Sequence, residues 1–204
     1  MKWNEFTESA PPPKQGREVL LWIIGGSAGS FNPVRTFLQN LPYHPEVALI
    51  LCLHRLRNSR LSIADALKLP FPWQAIEPDD KTTIVGGHVY IAPPDYHLLV
   101  EEEGYLSLSV EEPVHFSRPS IDVLMESVAQ ARWPRAAGML LSGANRDGAL
   151  GMYMMKQAGY FTAVQEPQDA EIPTMPEAAL ALFEPHRRFR SDQMMELFLQ
   201  ALSL

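Results

Sequence analysis

Two short, uninterrupted apolar runs, Val19–Ile24 and Val47–Leu53, bracket a segment whose apolar residues Val34, Phe37, Leu38 and Leu41 recur at helical spacing. A run with no polar face has nothing to give to water, so each must be covered on both sides, as parallel strands are. The pattern predicts a β-α-β unit with its helix over Pro33–Leu41. It resumes later, with a helix over Ser120–Ala131, the strand Ala137–Leu141, a helix over Ala149–Ala158 and the strand Phe161–Val164. Helices over Pro176–Phe183 and Gln193–Leu202, the latter capped by Ser191, are expected to cover the sheet. Between the two parts lie a predicted helix over Leu61–Leu69 and short strands at Ile84–Val85, His88–Ile91, Leu98–Glu101 and Leu106–Val110. Gly86-Gly87, Pro93-Pro94 and Gly104 punctuate those strands, which read as hairpins. The expected fold class is α/β, a three-layer sandwich with a mainly parallel but mixed central sheet and helices on both faces. Residues 1–17, which include Pro11-Pro12-Pro13, lack apolar periodicity and read as a flexible N-terminal arm; residues 18–204 read as one catalytic domain.

Composition narrows the function. A chain of 204 residues, 46% hydrophobic, suits one well-buried globular domain. Its formal charge of −7 and the lack of a Lys/Arg-rich run argue against nonspecific nucleic-acid binding and against attachment to an anionic membrane. No stretch is apolar for long enough to cross a bilayer, and the start of the chain is polar and proline-rich, so a cytoplasmic location is expected. The single cysteine, Cys52, lies in an apolar run and reads as a small buried hydrophobe.

Ser27 follows the first run in Gly25-Gly26-Ser27-Ala28-Gly29. A serine hydroxyl attacks well only when a base takes its proton, and glycine neighbours leave room for substrate. The same segment also reads as a strand-to-helix turn with Ser27 as a cap. Two further residues weigh toward chemistry. His54 follows the second apolar run, and Asp147 follows strand Ala137–Leu141, so all three emerge at the carboxyl edge of a parallel sheet, where open α/β folds place their ligands. Nucleophile, proton acceptor and orienting carboxylate form an acyl-transfer set. The order Ser, His, Asp differs from the Ser, Asp, His order of α/β-hydrolases. A nucleotide loop is disfavoured because Ser27 stands where a dinucleotide fingerprint has glycine and no P-loop lysine follows. His44, His88, His97, His115 and His186 show no metal-ligand spacing, so structural roles are expected and neither metal nor cofactor is implied.

Five stretches taken together resemble the catalytic domain of CheB-type chemotaxis methylesterases: Ile24-Gly25-Gly26-Ser27-Ala28-Gly29, Leu53-His54-Arg55, Val89-Tyr90-Ile91-Ala92-Pro93-Pro94-Asp95-Tyr96-His97-Leu98, Ser117-Arg118-Pro119-Ser120-Ile121-Asp122-Val123-Leu124, and Leu141-Ser142-Gly143-Ala144-Asn145-Arg146-Asp147-Gly148-Ala149-Leu150-Gly151-Met152. The resemblance maps the triad onto Ser27, His54 and Asp147. It implies hydrolysis of glutamate methyl esters on chemoreceptors, with deamidation of receptor glutamine as a second reaction. It also implies an oxyanion site made by backbone N–H groups at Ala28 and Ala144. Arg55, Arg118 and Arg146 are candidates for substrate contact. The chain departs from the family pattern at Ser30, Ser117, Ala144 and Asn145, where the family has glycine, histidine, methionine and glycine.

The resemblance implies the cytoplasmic domain of a methylated chemoreceptor as partner. The residues ahead of the first strand are too few for the receiver domain that family members commonly carry, so any control is expected to come from a separate regulatory protein, expression level or substrate access. Two rival readings are a serine esterase with a different substrate and a catalytically weak module that binds receptors or signalling proteins.

Overall fold

The computed structural model describes residues 14–54 and 66–203. Seven strands form one sheet in the order β10-β9-β8-β1-β2-β5-β3. They are β1 (Leu20–Gly26), β2 (Val47–Leu53), β3 (Gln74–Ile76), β5 (His88–Ile91), β8 (Ala136–Leu140), β9 (Phe161–Gln165) and β10 (Arg187–Phe189). Every pairing in this sheet is parallel. A second, three-stranded antiparallel sheet joins β4 (Thr82–Thr83), β7 (Tyr105–Ser109) and β6 (His97–Val100). The parallel and antiparallel strands thus separate into two sheets rather than mixing within the central one. The reason is covalent: β6 and β7 are joined by a short turn at Gly104 (φ 95°), whereas each parallel pairing needs a longer crossover.

Among the described residues, five helices flank the sheet: α1 (Phe31–Gln39), α2 (Ile121–Gln130), α3 (Ala149–Gln157), α4 (Thr174–Leu182) and α5 (Met194–Leu202). Side chains alternate along the strands, so each strand feeds two apolar layers. Leu21, Ile23, Ala48, Ile50 and Cys52 pack with α2, α3, α4 and the small sheet. Leu20, Trp22, Ile24, Leu49 and Leu51 pack with α1 and α5.

Residues 14–17, assigned to the arm by sequence, are held against the domain. Lys14 N–H donates to Pro45 O, and Gly16 N–H to Ile84 O. The Arg17 guanidinium donates to Glu102 O, Ala131 O and Arg132 O and lies over the Trp133 ring. The helix expected over Leu61–Leu69 falls mostly outside the described residues, with Ala66 and Leu67 helical. The expected strand at Ile84–Val85 is displaced to Thr82–Thr83, and Val85 makes only an isolated bridge with Gln15. Ser191 is not the cap of the last helix. It begins a 3-10 turn, Ser191–Gln193, that leads into α5, and its N–H is taken by Asp169.

Candidate active site

β1 and β2 pair in parallel with Gly26 opposite Leu53, and His54 N–H continues the ladder to Gly26 O at 3.1 Å. The next step of that register sets Ser27 beside His54 on strands about 5 Å apart. Both continue the alternation that faces α2, α3 and α4. Ser27 N–H donates to Ser142 O at 2.8 Å, which ties the serine to the loop after β8 as well.

That loop delivers Asp147, which is fully buried against the start of α2. Its carboxylate accepts four hydrogen bonds: from Ser120 Oγ (2.7 Å) and Asp122 N–H (3.0 Å) on Oδ1, and from Ile121 N–H (2.8 Å) and His54 Nε2 (2.7 Å) on Oδ2. Burial pushes its pKa up, but the His54 bond and the backbone N–H groups of Asp122 and Ile121 outweigh it and hold the carboxyl below the usual carboxylate range. An ionised Asp147 requires the His54 proton on Nε2, leaving Nδ1 as the basic nitrogen. Ser117 Oγ lies 3.3 Å from that Nδ1. Among the described residues, Ser27 Oγ has no hydrogen-bond partner.

The nucleophile turn is shaped by its neighbours. Ser27 O accepts from Ser30 N–H (3.1 Å) and Ser30 Oγ (2.6 Å). In a trans peptide the next N–H points the opposite way, so these bonds turn Ala28 N–H away from Ser30. Gly29, at φ 84°, cannot accept a side chain, since a Cβ there would lie 2.6 Å from Ser142 Oγ and from Glu171 Cβ. Ser142 Oγ donates to Ala28 O at 2.7 Å and accepts from Ile172 N–H at 2.9 Å, joining three loops. A Cβ on Gly143 would lie 3.0 Å from Ser27 Cβ and 2.4 Å from Met175 Cε. Ala28 and Ala144 are both exposed, and neither N–H has an acceptor among the described residues. Two donors beside a serine are what a developing oxyanion requires.

The arginine candidates separate. Arg55 lies outside the described residues. Arg118 is committed to structure, with Nη1 donating to Val110 O and Glu111 O at 2.7 and 2.8 Å. Arg146 is exposed at the site's edge and donates from Nε to His115 Nδ1 at 3.5 Å. A pocket of about 450 Å³ between α3 and α4 adjoins it, lined in part by His115, Asp122, Leu150 and Leu182. Asp122, buried, accepts from Gly151 N–H and lies 3.4 Å from His115 Nε2. Burial, with a smaller contribution from the Asp147 charge, raises its pKa to about 6 against the opposing Gly151 and His115 contacts. Burial and the same two carboxylates push the Cys52 thiol up, which keeps it protonated.

Sequence reasoning missed Ser120, Ser142, Asp122 and the His54 contact of Ser117. Only Ser120 carried a local signal, as a serine just ahead of a helix. Its Oγ accepts from Val123 N–H as an N-cap while donating to Asp147. His97, read as structural, is buried with Nδ1 accepting from Ser120 N–H and Nε2 donating to Glu112 O. Among the described residues no cluster of metal ligands forms, and no helix is long and apolar enough to cross a membrane.

Comparison with known proteins converges on one group. The family model described as CheB methylesterase matches residues 22–197. A Leptospira interrogans relative, provisionally named protein-glutamate methylesterase/protein-glutamine glutaminase, is 36% identical over 178 residues, covering 87% of this chain and 92% of its own. A Bordetella pertussis protein of the same name is 35% identical over 166 residues, covering 79% of this chain and 47% of its own length. The crystal structure of the Thermotoga maritima CheB methylesterase catalytic domain superposes with a TM-score of 0.82 at 20% identity, over 89% of this chain and 98% of that one. That likeness shows the α/β three-layer fold.

Proposed function

The chain belongs to the CheB methylesterase family, and we propose that it is a serine hydrolase that removes methyl groups from glutamate methyl esters of chemoreceptors, with deamidation of receptor glutamine as a second reaction. The reading rests on the 2.7 Å bond between His54 Nε2 and Asp147 Oδ2, made next to Ser27 at the carboxyl edge of the sheet.

In the proposed mechanism Ser27 Oγ attacks the ester carbonyl as its proton passes to His54 Nδ1. Ionised Asp147 keeps Nε2 protonated and stabilises the imidazolium. The N–H groups of Ala28 and Ala144 receive the charge on the carbonyl oxygen; each such donor lowers the barrier by about 3–4 kcal/mol. His54 then gives its proton to the departing methanol. Water attacks the acyl-serine by the same route, freeing Ser27 and leaving a glutamate carboxylate. An amide passes through a similar tetrahedral intermediate, with NH2 in place of OCH3, and releases ammonia when His54 gives its proton to that nitrogen. Neither half-reaction calls for a cofactor. The partner is the cytoplasmic domain of a methylated receptor, which puts the reaction in the cytoplasm.

The test is incubation with isotopically methyl-labelled receptor. Native protein releases labelled methanol, whereas Ser27→Ala and His54→Ala release roughly 10³-fold less or lower still while staying folded. Full turnover by either variant would defeat the assignment.

A further inference from the structure

The turn formed by residues 114–117 borders the site, and its construction is unusual. Val114 and Ser117 exchange two backbone hydrogen bonds, at 3.1 and 2.8 Å, and the tip residues His115 and Phe116 have φ of 49° and 62°. Such a turn ordinarily takes Asn-Gly, because a residue with a larger side chain in the left-handed region costs about 1–2 kcal/mol. Here the tip holds a phenylalanine whose ring is fully exposed. The neighbouring residues hold the strained backbone in place: Asn145 Nδ2 donates to His115 O at 3.2 Å, Arg146 Nε reaches His115 Nδ1, and His115 Nε2 faces Asp122. Neither the strain nor the exposed ring serves the domain's own packing.

The other end of the turn touches the reaction centre. With its proton on Nε2, His54 has one lone pair, on Nδ1, and the Ser117 hydroxyl lies 3.3 Å from it, nearer than to its other acceptor, His115 O, at 3.5 Å. The same oxygen accepts from Asn145 Nδ2 at 3.4 Å. Both contacts are long, and so are the His115 contacts that must give with them when the turn moves, at 3.2, 3.4 and 3.5 Å, so each is broken at small cost. One lone pair cannot accept from Ser117 and Ser27 together.

We propose that this turn is a substrate-responsive latch, in which Phe116 packs against an apolar side chain of the protein that presents the ester and the resulting shift withdraws Ser117 from His54 Nδ1. The inference rests on the hydrolase reading above. The two backbone bonds make the turn a unit, so displacement at Phe116 carries Ser117 with it. The partner surface that fits carries apolar side chains flanked by carboxylates. The apolar residues meet Phe116 and the pocket wall at Leu150 and Leu182, and the carboxylates meet exposed Arg146. Binding shifts the latch because contact with Phe116 is stronger when the turn has moved. Ser117 is a positioning residue in this scheme, not a group that touches the reacting atoms.

The experiment uses the full chain and two readouts, labelling of Ser27 by a small fluorophosphonate and steady-state release of methanol from methylated receptor. Ser117→Ala is expected to label about 3- to 10-fold faster than native, the range for losing one weak hydrogen bond, while Ser117→Thr, which restores a hydroxyl, labels at a rate near native. Phe116→Ala is expected to raise KM for the receptor several-fold, with a smaller effect on kcat. Labelling of Ser117→Ala at the native rate or slower would overturn the latch, as would a Phe116→Ala enzyme with native KM. If folded native and folded Ser117→Ala both fail to label, the hydrolase reading falls and the latch with it, whereas equal labelling of the two removes the latch alone.

Discussion

Ser30 stands where the family pattern has glycine, and its hydroxyl makes a second bond to Ser27 O beside that of its own N–H. Ser30→Ala keeps the backbone bond and loses the other, so Ala28 N–H is aimed less firmly. Methanol-release kinetics are expected to show kcat several-fold lower with KM little changed, since the loss is felt where charge develops on the carbonyl oxygen. Asp147→Asn keeps the side chain's shape but removes the charge that fixes the imidazole proton on Nε2, and kcat is expected to fall by roughly 10³- to 10⁴-fold with a residual rate remaining. The two buried carboxylates have opposite pH signatures. Asp147, with its pKa depressed in the folded state, contributes stability that is present above about pH 4 and lost as pH falls through its folded pKa. Asp122, raised to about 6, does the reverse: its charge penalises the folded state progressively between about pH 4 and 6 and fully above that. Asp122→Asn retains an acceptor for Gly151 N–H and removes that penalty. Urea unfolding is expected to show it more stable than native by on the order of 1–3 kcal/mol at pH 7, with the difference shrinking toward zero at pH 4.

At the scale of elements, α2 joins stability to chemistry, because Ser120 both caps it at Val123 N–H and donates to Asp147. Ser120→Ala is expected to cost about 1–2 kcal/mol in thermal or denaturant unfolding and to lower kcat in the same variant. The strands that dominate the fold were legible because they are covered on both faces: β1 and β2 are buried along their whole length, and that environment demands continuous apolar runs. β3 and β10 were not. Gln74–Ile76 and Arg187–Phe189 lie at the two edges of the sheet with most of their side chains partly or fully open to water, so no apolar run marks them. The same distinction governs the site. Ser27, His54 and Asp147 stand out because each ends a legible strand or follows one closely, whereas Ser117 and Ser142, in loops, and Asp122, in the first turn of α2, matter only through contacts with distant parts of the chain.

For the whole molecule, Arg17 joins the turn of the small sheet to the end of α2, through three carbonyls and the Trp133 ring. Deleting residues 1–17 is therefore expected to lower the melting temperature by several degrees relative to deleting residues 1–13, and Arg17→Ala in the full chain should reproduce most of that difference in calorimetry. The position of β1, paired with β2 on one side and β8 on the other, bears on how the chain is made. A ribosome releases β1 and β2 long before Ala136–Leu140, so the growing polypeptide exposes an unpaired, wholly apolar strand flank to the cell for much of its synthesis. Chaperone shielding at the ribosome, or fast elongation through Ala136–Leu140, would suppress aggregation at that stage. Premature termination upstream of residue 136 should yield inclusion bodies rather than a smaller soluble protein.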